Sequence, residues 1–195
     1  MAQAPAIQVK RSDRIISPKG RCSYPHLFKP SAFQGEGEPK FSAALLIDKK
    51  ASGTKEFIGK IKAAQDAALK ELYGTKLPTN LERWGVSDGD DIVDAQGNPD
   101  PVTKGNWVVK ASSKNRPAII DGQGTEILTE TDVYGGCYGR INFCAKAYGT
   151  PAKGGVTLEL NVFQKIADGE AFGGAEKAKQ AALAEMGAYE EEDVF

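Results

Sequence analysis

Two late segments constrain this chain more than any other feature. From Tyr138 to Tyr148, and again from Val156 to Lys165, apolar and polar residues alternate, with the turn formers Gly149, Pro151, Gly154 and Gly155 between the two runs. Side chains point to opposite faces of a strand with a period of two, so this pattern predicts a β-hairpin with one buried face. In the first run Gly139, Ile141, Phe143, Ala145 and Ala147 make a small apolar face, opposite Tyr138, Arg140, Asn142, Cys144, Lys146 and Tyr148. In the second, Val156, Leu158, Leu160 and Val162 are expected inward, which puts Thr157, Glu159, Asn161, Phe163 and Lys165 on the outer face.

The remaining elements fit around such a hairpin. Short strands are expected at Arg14 to Ser17, Phe41 to Ile47, Trp107 to Ser112, Ala118 to Asp121 and Glu126 to Thr129. Phe41, Ala43, Leu45 and Ile47 fall on one face of their strand, and Ser42, Ala44 and Leu46 on the other, so both faces are largely covered. One long helix is predicted from about Thr54 to Tyr73, where Phe57, Ile61, Ala64, Ala68 and Leu72 recur at three- and four-residue steps and Ile58 and Leu69 widen the stripe. Ser52 or Thr54 is placed to cap its start and Gly74 to end it. The stretch from Pro18 to Pro39 and residues 74–106 are so rich in Pro, Gly, Asn and Asp that they read as irregular. Within the second, Asp88-Gly89-Asp90-Asp91 lacks the spaced ligands of a calcium loop and reads as a solvated loop. Short strands, long loops and one inserted helix suit a mainly-β, Greek-key barrel of the OB-fold kind better than a parallel βαβ sheet. The expected division is a loose arm over 1–13, a barrel domain over 14–174, and a helix-prone linker with an acidic tail over 175–195.

Charge adds an asymmetry that the net value of -1 conceals. Residues 1–165 hold 23 Lys and Arg against 18 Asp and Glu, whereas residues 166–195 hold 2 against 8. A basic body with an acidic end is a partner signal. No apolar run is long enough to span a bilayer and no secretory signal is visible at the start, so a cytoplasmic protein without a membrane partner is expected.

Several chemistries are poorly supported. Cys22, Cys137 and Cys144 include no CxxC pair, and His26 is the only histidine, so zinc sites of the usual spacing cannot be built and Cys137 and Cys144 are expected as small buried side chains. There is no GxxxxGK[ST] phosphate loop, and Gly35-Glu36-Gly37-Glu38-Pro39-Lys40 fails as a dinucleotide fingerprint. An enzyme, a cofactor and a metal are therefore not expected.

The outer face of the hairpin carries the functional signal. Tyr138, Tyr148 and Phe163, interleaved with Arg140, Lys146 and Lys165, offer rings on which bases stack and cations that track phosphates. Lys40, Phe41, Lys110, Arg116 and Tyr134 are secondary candidates for the same surface. The tail ends in Glu190, Glu191, Glu192, Asp193, Val194 and Phe195, a solvated acidic run with an aromatic hook. Such an end can dock in an apolar, Lys/Arg-rimmed pocket of a partner or compete with DNA for the basic groove.

Tyr24-Pro25-His26-Leu27-Phe28 with Pro30, Gly37-Glu38-Pro39-Lys40-Phe41-Ser42-Ala43, Arg116-Pro117 with Asp121, Asp132-Val133-Tyr134, Gly136-Cys137-Tyr138-Gly139-Arg140, and Gln164-Lys165 before Asp168-Gly169-Glu170 together resemble a family of tailed-phage single-stranded DNA-binding proteins. The resemblance spans roughly residues 14–175 and is weakest over 74–106. It implies an OB-fold, sequence-tolerant binding of single strands in phage DNA replication or recombination within the host cytoplasm, and no catalysis. The acidic end resembles the partner-docking tips of bacterial and phage single-strand binders, through which replication or recombination proteins would be engaged. Bacterial tips usually place Pro before the last Phe, where this chain has Val194. Two alternatives share the same residues: a non-catalytic protein–protein adaptor, and an RNA-binding OB-fold protein.

Overall fold

The two alternating segments form the antiparallel pair β8 (Tyr138–Gly149) and β9 (Lys153–Ala167), which run together over their whole length. The computed structural model describes residues 7–33, 36–93, 96–150 and 153–186. Before the pair come β1 (Gln8–Ile16), β2 (Gly20–Phe33), β3 (Glu36–Asp48), α1 (Thr54–Tyr73), β4 (Asn80–Arg83), β5 (Val86–Asp88), β6 (Asn106–Ser113) and β7 (Ala118–Ile120). After it comes α2 (Gly174–Met186). The sheet runs β8-β2-β3-β6-β9 and returns to β8, a closed five-stranded barrel. Four further strands extend it: β1 on β8, β5 on β6, and the short β4 and β7 parallel to β9. This is the OB-fold-like, mainly-β architecture expected.

The barrel interior is filled by the apolar faces identified above. Leu45, Ile47, Val109, Ile141, Phe143, Val156, Leu158 and Leu160 are all buried. Burying each such side chain is worth roughly 1.5–3 kcal/mol. The stripe of α1 packs onto this core through Phe57, Ile58, Ile61, Ala68 and Leu69, with Ala64 and Leu72 partly covered. The Phe57 ring meets Phe143 edge-on at 6.4 Å. Gly74, in a positive-φ conformation, donates its N–H to the Lys70 carbonyl and ends the helix as expected. The start differs: Gly53 occupies the cap without a side-chain bond, and Thr54 Oγ1 donates instead to the Asp48 carbonyl at the end of β3.

Three stretches expected to be irregular are built into the sheet. The strand expected from Arg14 begins at Gln8, within the supposed arm, and pairs with β8. Where its register slips between Arg11 and Arg14, the Ser12 hydroxyl accepts from Ala145 N at 3.0 Å, and just past its end Ser17 Oγ accepts from Ile141 N at 2.9 Å. The Pro-punctuated stretch forms β2 and the start of β3. Pro25 and Pro30 are tolerated because β2 slips register between Ser23 and His26 and again between His26 and Ser31. Finally, residues 80–88 contribute β4 and β5, and Asp88 at the end of β5 and Asp90 just past it hold a cation of the chain itself. Lys49 Nζ reaches Asp88 Oδ1, and Asp90 Oδ2 at 2.6 Å. Cys22, Cys137 and Cys144 are buried free thiols.

Candidate nucleic-acid interface

Register along β9 decides which hairpin residues share the outer face. Phe143 pairs with Leu160, but Asn142 pairs with Val162, so Asn161 is an extra residue in a β-bulge. Beyond it the two faces of β9 exchange. Val162 turns outward opposite Asn142, and Phe163 turns inward opposite Ile141, where it is fully buried. Phe163 is therefore a core residue and not part of a binding face, a correction to the period-2 reading, and Lys165, opposite the inward Gly139, leaves the outer face of β9 with it. Gly139 makes this possible, since a Cβ there would lie 2.6 Å from the Phe163 ring. A second slip falls between Gly139 opposite Lys165 and Tyr138 opposite Ala167.

The outer face of β8 has a different character along its length. At its start, Tyr138 lies beneath two cations, Lys19 Nζ at 5.2 Å and Arg21 Cζ at 5.8 Å from the ring centre. Arg21 also stacks 4.2 Å from the Phe172 ring, while its guanidinium donates to the carbonyls of Gly136 and Glu170. Close by, Lys165 Nζ lies 5.5 Å from the Tyr134 ring and 2.7 Å from Asp168 Oδ1. The Tyr134 hydroxyl is 3.1 Å from both Asp168 Oδ1 and the Gly169 carbonyl, and it accepts from Gly169 N at 3.2 Å. The bond from Lys165 holds the Asp168 carboxyl below its ordinary range, whereas burial pushes the Tyr134 phenol up. Tyr134, Tyr138 and Phe172 with Lys19, Arg21 and Lys165 thus form one basic–aromatic cluster.

The middle of the face is an ion-paired triad. Glu159, opposite Cys144, receives Arg11 from β1 and Lys146 Nζ at 2.6 Å. Hydrogen bonding from Arg11, then from Lys146, outweighs the desolvation of Glu159 and holds its carboxyl at about 2. Arg140 is exposed, with Nε donating to Gln164 Oε1 at 2.6 Å. At the far end Tyr148 lies across Gly155, where a Cβ would come within 2.7 Å of its hydroxyl.

The secondary candidates are scattered. Lys40 and Lys110 are exposed on β3 and β6, and Arg116 stands over Phe28 at 5.2 Å. Phe41 is half-buried, two residues along β3 from the core residue Ala43 and so on its face. The tail residues Glu190, Glu191, Glu192, Asp193 and Phe195 lie outside the described residues. A depression of about 680 Å³ beside Tyr134 is bordered by Asp132, Asp168 and Glu170 together with Lys179, so carboxylates outnumber cations in its lining. Sequence reasoning missed Lys19, Arg21 and Phe172. The first two lie beside or within the Pro-rich stretch, and Phe172 follows the last strand, so no periodicity marks them.

The sequence model of the Enterobacter phage Enc34 single-stranded DNA-binding protein family matches residues 13–195. The chain belongs to this family. Protein p50 of Acyrthosiphon pisum secondary endosymbiont phage 1 is 32% identical over 186 residues, covering 90% of this chain and 95% of p50. The Enc34 single-stranded DNA-binding protein, in a structure complexed with single-stranded DNA, is 30% identical and superposes with a TM-score of 0.64 over 82% of this chain and 89% of that one. The gp2.5 single-stranded DNA-binding protein of bacteriophage T7 shares the fold at 14% identity, with a TM-score of 0.55 over 93% of this chain and 100% of its own.

Proposed function

We propose that the chain binds single-stranded DNA with little regard to sequence, along the outer face of β8 from the Tyr138 cluster past Arg140 and Lys146 to Tyr148. The observation that carries this reading is the packing of three rings and three cations into one half-buried cluster, with Lys19 exposed at its edge, at the start of that strand. Rings give every base a stacking surface and the cations meet the backbone, a combination indifferent to base identity. Membership of a phage single-strand-binding family, and a relative solved with single-stranded DNA, support the same ligand.

The role is non-catalytic: the protein would coat single strands exposed during phage DNA replication or recombination in the host cytoplasm. Lys40, Lys110 and Arg116 would serve as outlying phosphate contacts. The tail from Glu190 to Phe195 would dock on replication or recombination proteins and compete with DNA for the basic cluster.

Anisotropy titration of labelled oligo(dT) tests this, with duplex DNA and an RNA oligonucleotide as competitors and a chain ending at Gly187 for comparison. Tight, length-dependent binding of the single strand is expected, strengthened by the truncation. Replacing Tyr138 and Tyr148 together by Ala should cost about 2–6 kcal/mol of binding, by the stacking contribution per base. Equal binding of duplex DNA, or undiminished binding by the double variant, would overturn the groove; stronger competition by RNA would favour the RNA-binding alternative.

A further inference from the structure

Trp84 stands in the segment that neither motif nor periodicity singled out, yet the fold holds it with unusual care. Its side chain is 57% exposed, although it is the largest of the apolar types and gains most from burial. Its backbone is fastened on both sides. Trp84 N donates to the Val156 carbonyl at 2.8 Å, and the Trp84 carbonyl accepts from Gln65 Nε2 at 2.9 Å. Gln65 is a buried polar residue in the middle of α1, so an amide is placed in the core to secure this one carbonyl. Gly85 follows at φ 104, where a Cβ would lie 2.5 Å from Leu158. Its carbonyl accepts from Lys110 N at 2.8 Å. A chain turn fixed at three backbone groups therefore presents the indole outward.

The neighbour of that indole is Tyr148. β4 runs parallel to β9 with Glu82 opposite Gly155, and Gly155 is opposite Tyr148 on β8. The missing side chain at Gly155 lets the Tyr148 ring lie across β9 toward β4. The indole N–H donates to Glu82 Oε2 at 3.3 Å, and Glu82 lies opposite Gly155, over which the Tyr148 hydroxyl rests. The Glu82 carboxylate repels phosphates and occupies the indole donor, so what the pair offers a ligand is ring surface.

We propose that Trp84 and Tyr148 form a second base-stacking platform, which turns the DNA strand from β8 across β9 and onto β4. This deepens the single-strand-binding reading and rests on it. Bases, unpaired and able to unstack, are the ligand such a platform takes, and duplex DNA cannot offer them.

The test uses the full chain carrying Trp107→Phe, which leaves Trp84 as the only tryptophan. Oligo(dT) is titrated while intrinsic fluorescence and the anisotropy of a label on the oligonucleotide are followed together. The expected result is quenching of Trp84 emission in step with binding. In the otherwise unaltered chain, Trp84→Ala should weaken binding about 5- to 150-fold, the stacking range for one base, and Trp84→Phe should restore most of it. Binding seen by anisotropy with no change in Trp84 emission, or at full strength in Trp84→Ala, would overturn the platform and leave the β8 groove standing. No binding of oligo(dT) by the unaltered chain would overturn both.

Discussion

Replacing Glu159 by Gln should move stability and binding in opposite directions. Glu159 binds Arg11 and Lys146 at once, and its carboxyl is held at about 2 against an ordinary 4.5. A depressed carboxyl stabilises the fold fully above its unfolded pKa, and that contribution fades as pH falls from 4.5 toward 2. At 1.36 kcal/mol per unit the ceiling is about 3 kcal/mol. Arg11 is 51% exposed, and solvent screening of that partner lowers the expectation to about 1–2 kcal/mol. Urea denaturation at pH 7 should therefore show Glu159→Gln less stable by about that amount, with the deficit falling to half or less by pH 3. Oligo(dT) affinity should rise, because two cations lose the carboxylate that neutralises one of them. If one more phosphate is then paired, the slope of log K against log salt should steepen by about 0.7. A stability loss that persists unchanged at pH 3 would refute the ion-pair account. A stability loss with unaltered affinity and salt slope would place Arg11 and Lys146 off the DNA path.

Two further substitutions separate core from groove. Phe163→Ala should cost about 3–5 kcal/mol of folding stability by cavity formation, while the protein that remains folded binds oligo(dT) normally; a binding defect without destabilisation would return Phe163 to the outer face. Arg21→Gln removes the cation between Tyr138 and Phe172 and should reduce both affinity and the salt slope, the latter by about 0.7 for one lost phosphate contact. An unchanged salt slope would mean that Arg21 only braces the chain at Gly136 and Glu170.

Much of the barrel was legible because its signals are local. The stripe from Phe57 to Leu69 and the stop at Gly74 follow from residues within a few positions of each other, and the structure repeats them. The same holds for the inward faces of β6 and β8, where Val109, Ala111, Ile141 and Phe143 are buried as alternation requires. Phe163 was misplaced because alternation assumes an unbroken pleat, and the bulge at Asn161 moves the side chains from Val162 to Lys165 to the opposite face. The prolines of β2 misled in the same way. They argue against a strand only where the ladder is continuous, and there it slips.

By itself the sequence determined that a β-hairpin would be covered by one helix, that rings and cations would share its outer face, and that the body would be basic and the end acidic. These depend on side-chain period and composition, which are written along the chain. Tertiary structure alone decided which rings and cations meet. Lys19, Arg21, Tyr134, Lys165 and Phe172 converge on the Tyr138 end, and Trp84 comes to the side of Tyr148, only because β2 and β9 are drawn beside β8 and β4 beside β9. Contacts between residues that far apart in the chain are set by sheet register and closure, and a single inserted residue is enough to change them.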